Sequence, residues 1–164
     1  MKNLIIFGAL ILGALIFTKK AISGVNDDYD ELFVKFGLKH GVNPKILKAI
    51  SLNESWLGEY QNSVTVGGNT TAGLMHIELP TARDYMPMID RDELLKPEVE
   101  IEVAAMLVKD LMKKYNNNLE LVLRAYNGGQ GRVTQYLNGT VNETWKKNTT
   151  AYWERFNRNM ERLG

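Results

Sequence analysis

The chain has 164 residues, of which 24% are charged and 45% are hydrophobic, and its formal net charge is +1. This composition is typical of a globular protein and excludes a disordered one, and the length fits one domain with a substantial core. The absence of cysteine excludes disulfides and thiolate metal sites, and the lack of any basic run argues against nucleic acid as a partner.

The N-terminal segment has the composition of a membrane anchor or an export signal. An almost wholly apolar run over residues 4–18 follows Lys2 and precedes Lys19 and Lys20. The run is shorter than the ~20 residues that usually span a bilayer, but flanking lysines can extend its reach. Lysines directly after the run favour retention over cleavage, so we interpret residues 1–22 as an N-terminal apolar helix that anchors the protein in a membrane. A cleaved signal is the alternative.

The remainder of the chain is predicted to be mainly α, with residues 23–28 as a linker and residues 29–164 as one domain. Hydrophobic spacing, caps and breakers predict helices near residues 29–41, 42–57, 73–86, 97–115, 119–126, 133–137 and 150–163. The first of these ends near Gly37 or Gly41. Strand alternation is brief, at residues 63–66. Polar residues and the sequence Gly67-Gly68-Asn69 predict a long irregular loop over residues 58–71, of the kind that often forms one wall of a cleft.

Glu54 is the most informative residue of the second helix. Asn43 is a good N-cap and Pro44 suits the first helical position, so the helix begins here. Leu47, Ile50 and Glu54 recur on one face, which places a carboxyl group on an apolar stripe. Desolvation disfavours the charged form of such a group, and a carboxyl group that keeps its proton can act as a general acid. The plain alternative is that Glu54 reaches water at a fraying helix end.

Short motifs downstream of Glu54 show a resemblance that covers about residues 29–156. The chain resembles the lytic transglycosylases of the soluble-transglycosylase, goose-lysozyme-like type. The matching residues are Glu54-Ser55, Gly73-Leu74-Met75 with Ile77, Pro80, Thr81 and Ala82, Ala125-Tyr126-Asn127 with Gly129, and Tyr152. One departure is His76, which stands where the family usually has glutamine.

The resemblance implies a lysozyme-like transglycosylase domain in which Glu54 is the sole catalytic acid and base. Such an enzyme cleaves the β-1,4 bond between N-acetylmuramic acid and N-acetylglucosamine, forms a 1,6-anhydromuramoyl product and opens the cell wall locally. The resemblance also implies that residues around Glu54 bind the substrate. One of them is the histidine that differs from the family's usual glutamine. These residues are Ser55, Met75, His76, Tyr126, Asn127 and Tyr152. No cofactor is implied, and neither His40 nor His76 has the helical partner that would predict a metal site.

Two alternatives remain open at this point. A hydrolytic lysozyme of the same fold would need a water in place of the sugar hydroxyl, and a second carboxylate in the cleft, Glu59 or Glu78, would favour it. A non-catalytic peptidoglycan-binding protein of a virion or cell envelope is the other alternative. The expected partners are peptidoglycan glycan strands, a membrane through residues 4–18, and proteins of a virion or a secretion apparatus. The expected location is a membrane, facing the periplasm or cell wall, or a virion membrane.

Overall fold

A computed structural model describes residues 28–58, 64–66, 69–71 and 73–164. The helices are α1 (Asp30–His40), α2 (Pro44–Glu54), α3 (Leu79–Arg83), α4 (Arg91–Leu94), α5 (Pro97–Lys114), α6 (Leu119–Gly128), α7 (Gln130–Leu137) and α8 (Glu143–Arg162), and the strands are β1 (Val64–Val66) and β2 (Asn69–Thr71). The prediction of a mainly α fold is therefore confirmed. The predicted N-terminal anchor, residues 1–22, lies outside the described residues. None of the described helices combines the length and apolarity needed to cross a membrane.

The first two helices form a tight pair whose ends follow from local sequence. Gly41 ends α1 in the left-handed conformation with φ of 73°, and its N–H donates to the Gly37 carbonyl. Asn43 caps α2 by accepting from the Lys45 N–H at 3.0 Å. Asp30 and Lys48 form a fully buried ion pair of 2.6 Å between the two helices. These contacts fix the direction in which α2 carries Glu54.

The core lies where the long helices meet. Helix α5 packs against α1, and α8 packs against both α2 and α6. The long helices contribute side chains with no exposed surface to this core; examples are Phe33, Leu47, Ile101, Val122 and Phe156. Helix α8 begins at Glu143, earlier than predicted, because Asn142 caps it by accepting from the Trp145 N–H. Its extra turns pack against α6, where the Trp145 indole N–H donates to the Gly128 carbonyl at 2.7 Å.

Two stretches between α2 and α4 also differ from the sequence prediction. Part of the predicted irregular loop forms an antiparallel hairpin, in which Val64 pairs with Thr71 and Val66 with Asn69. The predicted helix over residues 73–86 is wrong in its first half, since residues 73–78 form a loop and only Leu79–Arg83 is helical. Positive φ angles at Gly73 (95°) and His76 (50°) are incompatible with a right-handed helix.

Candidate active site

Glu54 is the last residue of α2 and lines a cavity of about 670 Å³. Only 13% of its side chain is exposed. The two residues of its predicted stripe that precede it, Leu47 and Ile50, are fully buried, whereas the helix ends before Leu57 because Trp56 and Leu57 adopt positive φ. The carboxyl group therefore stands where an apolar helix face meets an open cavity. A group in this position can reach a ligand while it is shielded from bulk water.

Tyr152 of α8 fixes the orientation of the Glu54 carboxyl group. Its hydroxyl donates to Glu54 Oε1 at 2.7 Å, and its ring is almost fully buried. Burial raises the pKa of Tyr152 well above its usual value, and the nearby charge of Glu54 raises it further. The phenol therefore stays a hydrogen-bond donor at any pH at which the protein works.

The second carboxyl oxygen of Glu54 faces His76. The distance from His76 Nδ1 to Glu54 Oε2 is 3.6 Å, and His76 also lines the cavity. His76 Nε2 is buried and has no hydrogen-bond partner among the described residues. The residue adopts a φ of 50°, which is uncommon outside glycine, asparagine, aspartate and histidine. The left-handed backbone at this position turns the imidazole towards the carboxyl group.

Glu100 of α5 holds the loop that carries His76. Its buried carboxyl group accepts from three backbone N–H groups, those of Leu74 at 2.6 Å, Met75 at 3.0 Å and Ile77 at 3.5 Å. Burial raises the pKa of Glu100, and the three hydrogen bonds and the charge of His76 partly offset the increase. Sequence reasoning missed this residue. A signal was available, because an acid at position 100 shares a helical face with Ala104 and Leu107, which are buried.

Gly73 is required where the loop meets Glu100. A Cβ at this position would lie 2.4 Å from Glu100 Oε2, and the φ of 95° is strained for any other residue. The glycine therefore allows the backbone to approach the carboxyl group closely enough for the hydrogen bonds to form.

Ser55 and Met75, both predicted to bind substrate, are buried and do not line the cavity. The Ser55 hydroxyl donates to the Leu74 carbonyl at 2.8 Å and accepts from the Gly58 N–H. The Met75 carbonyl accepts from the Tyr126 hydroxyl at 2.9 Å. Both residues thus attach the loop to the helices around it, and through the loop they position His76.

The other predicted site residues lie together. Tyr126 and Asn127, near the end of α6, line the same cavity as Glu54 and His76. Tyr152 lies next to Glu54 and lines a neighbouring cavity. Among the described residues, no three His, Asp or Glu side chains are close enough to hold a metal ion. That the protein needs no metal stays a prediction.

Known proteins resemble the chain over most of the described domain. The family described as "Transglycosylase SLT domain" matches residues 31–149. Soluble lytic murein transglycosylase from Salmonella typhimurium is 26% identical over 120 residues, which are 69% of this chain and 18% of that protein. The chain also resembles a solved structure of an inactive mutant of lytic transglycosylase Slt from Pseudomonas aeruginosa, with a TM-score of 0.54 and 22% sequence identity. The match covers 84% of this chain and 24% of that one. The chain spans less than a quarter of the length of either relative.

Proposed function

Because the chain belongs to the family of transglycosylase SLT domains, we propose that it is a peptidoglycan lytic transglycosylase that opens the cell wall locally. The observation that carries this proposal is the setting of Glu54, a shielded carboxyl group that one phenol orients and that faces a cavity. The chemistry needs one group that gives a proton and then takes one back, and Glu54 is placed for both steps.

The reaction proceeds in two proton transfers. Protonated Glu54 gives its proton to the glycosidic oxygen between N-acetylmuramic acid and N-acetylglucosamine, and the bond from that oxygen to the muramoyl C1 breaks. The N-acetyl group of the same sugar stabilises the positive charge at C1, so that no second carboxylate is needed. The Glu54 carboxylate then takes the proton of the C6 hydroxyl while O6 bonds to C1. The 1,6-anhydromuramoyl product forms without water, and Glu54 is again protonated.

The surrounding residues orient these steps. Oε1 of Glu54 accepts from Tyr152, so Oε2 is the oxygen that exchanges the proton. His76 lies 3.6 Å from that oxygen and lines the wall where a sugar would bind. Asn127 offers an amide to the sugar hydroxyl or acetamide groups in the same cavity. Tyr126 lines this wall and ties it to the Met75 carbonyl.

A hydrolytic lysozyme is the second candidate, and one observation favours it. Glu78 lines the same cavity as Glu54 and offers a carboxylate that could activate a water. The other carboxylate considered, Glu59, lies outside the described residues.

Product analysis distinguishes the two reactions. We expect the full chain to release fragments with 1,6-anhydromuramoyl ends from purified peptidoglycan, as measured by mass spectrometry, and we expect Glu78→Gln to release the same product. Reducing muramoyl ends from the wild type, lost in Glu78→Gln, would replace the proposal with hydrolysis. A wild type without either product would favour a peptidoglycan-binding protein.

The location of the protein is a separate proposal that depends on sequence. Residues 1–22 would tether the domain to a membrane so that it faces the cell wall, in a virion or beside a secretion apparatus. Membrane fractionation tests this tether: the full chain should sediment with membranes and residues 23–164 should not. Equal distribution of the two would exclude the anchor.

A further inference from the structure

A second cavity, of about 730 Å³, lies beside the cavity that contains Glu54. It is lined by the end of α6, by Arg132 near the start of α7, and by residues between Asn142 and Arg155, most of which lie on α8. Four residues line both cavities, namely Asn127, Gly128, Arg132 and Trp145. The two cavities therefore adjoin each other.

Trp145 and Gly128 form the shared boundary of the two cavities. The indole N–H of Trp145 donates to the Gly128 carbonyl at 2.7 Å. A Cβ on Gly128 would lie 2.4 Å from Trp145 Nε1, so the two helices meet here without an intervening side chain. The boundary between the two cavities is consequently fixed by packed backbone and a buried ring.

The second cavity is cationic. Arg132 and Arg155 line it, and no acidic residue does. Neither guanidinium group forms an ion pair or a hydrogen bond with any described residue, in contrast to that of Arg124, which pairs with Glu120 at 2.7 Å. The Arg155 guanidinium lies 5.5 Å from the centre of the Tyr152 ring. Two guanidinium groups are thus available to a ligand, and one of them rests on the ring whose hydroxyl orients Glu54.

A branched substrate with an anionic branch fits this pair of cavities. The inference rests on the proposed function, in which the glycan strand occupies the cavity of Glu54. Each muramoyl sugar carries a lactyl group to which a peptide is attached, and such peptides end in carboxylates. Guanidinium groups bind carboxylates through paired hydrogen bonds. We infer that Arg132 and Arg155 bind a carboxylate of the peptide attached to the muramoyl sugar beside Glu54, so that the enzyme prefers peptide-bearing strands.

The test compares two substrates that differ only in their peptides. Peptidoglycan and the same strands stripped of peptide by an amidase are digested by the full chain, by Arg132→Gln with Arg155→Gln, and by Arg158→Gln. Arg158 is an exposed arginine on α8 that lines neither cavity, so it is the matched control. Exposed ion pairs contribute little each, so we expect the double variant to lose about 3- to 20-fold in kcat/KM on peptide-bearing strands. Arg132 also lines the cavity of Glu54, so the deciding quantity is the ratio of kcat/KM on peptide-bearing strands to kcat/KM on stripped strands. This ratio should fall in the double variant and keep its wild-type value in the control. An equal loss on both substrates, or no loss on either, would overturn the inference.

Binding separates this inference from the proposed function. A soluble muramoyl disaccharide with its peptide is titrated calorimetrically into Glu54→Gln, with and without the two arginine substitutions, so that no catalysis is required. A larger loss of affinity for the peptide-bearing disaccharide than for the peptide-free one in the arginine variant supports the inference even if the wild type makes no anhydromuramoyl product. Equal binding by both variants would contradict it.

Discussion

Tyr152→Phe removes the only described donor that touches the Glu54 carboxyl group at hydrogen-bond distance. The hydroxyl lies 2.7 Å from Oε1, and the ring is almost fully buried against the core. Phenylalanine keeps the ring and its packing. The change therefore isolates the contribution of one hydrogen bond to the orientation of Glu54.

The expected loss follows from that hydrogen bond. A hydrogen bond to a charged group contributes about 1.5–3 kcal/mol. Only 13% of the Glu54 side chain is exposed, so water replaces the lost donor poorly. An increase of about 1.4 kcal/mol in the activation free energy lowers the rate tenfold, so we expect kcat/KM to fall about 10- to 100-fold. The fall should lie mainly in kcat, because the phenol orients the acid and does not line the cavity of Glu54.

Tyr115→Phe is the matched control. The Tyr115 hydroxyl is buried and has no hydrogen-bond partner among the described residues, so removal of its oxygen should not lower activity. The assay is the initial rate of anhydromuramoyl release, with thermal unfolding to show that both variants fold. A Tyr152→Phe enzyme within about twofold of Tyr115→Phe would refute the assignment of an orienting role.

Three further predictions concern packing and charge. Gly128→Ala would place a Cβ 2.4 Å from Trp145 Nε1 and should lower the free energy of unfolding by about 1–3 kcal/mol. The control, Gly131→Ala, would place a Cβ with no atom within 4 Å and should leave the free energy of unfolding unchanged or raise it. Chemical denaturation measures both variants. Glu100→Gln should lower the free energy of unfolding by about 1–3 kcal/mol, because the NH2 group of glutamine would face a backbone N–H that donates to a carboxyl oxygen in the wild type. The pKa of Glu100 is raised in the folded wild type, so the folded protein binds the Glu100 proton more tightly than the unfolded chain does. Wild-type stability should therefore fall as pH rises from 4.5 through the pKa of Glu100 in the folded protein, and the variant should lack this fall. Four tyrosines with raised pKa should keep their protons above about pH 10, where an unfolded chain loses them, so stability should fall there, and the share of the tyrosinate absorbance that these four residues contribute should appear on unfolding. These tyrosines are Tyr85, whose pKa is about 12, Tyr115, Tyr126 and Tyr152.

Local signals in the sequence predict the helices well where a cap and an apolar face agree. The start of α2 follows from Asn43 and Pro44, and the start of α5 follows from Pro97. The segment after Gly73 misleads because its apolar residues have helical spacing while their N–H groups bind Glu100 instead of the preceding turn. The partner lies about 25 residues away along the chain, which no local pattern encodes.

The candidate site shows the same limit. The resemblance names Tyr152, and only the fold shows that its hydroxyl reaches Glu54 across 98 positions of sequence. The motif residues Ser55 and Met75 look like ligand contacts in sequence, yet their buried hydrogen bonds hold the loop of His76. A short motif therefore identifies a site without separating the residues that face the ligand from those that support them.

The most direct test of the account is the product made by wild type and by Glu54→Gln from the same peptidoglycan. Glutamine keeps the size of the side chain and can still accept from Tyr152, but it cannot give or take the proton. We expect 1,6-anhydromuramoyl ends from the wild type, and none from a folded Glu54→Gln that still binds the glycan. Anhydromuramoyl release by Glu54→Gln at a rate near that of the wild type would contradict the central claim.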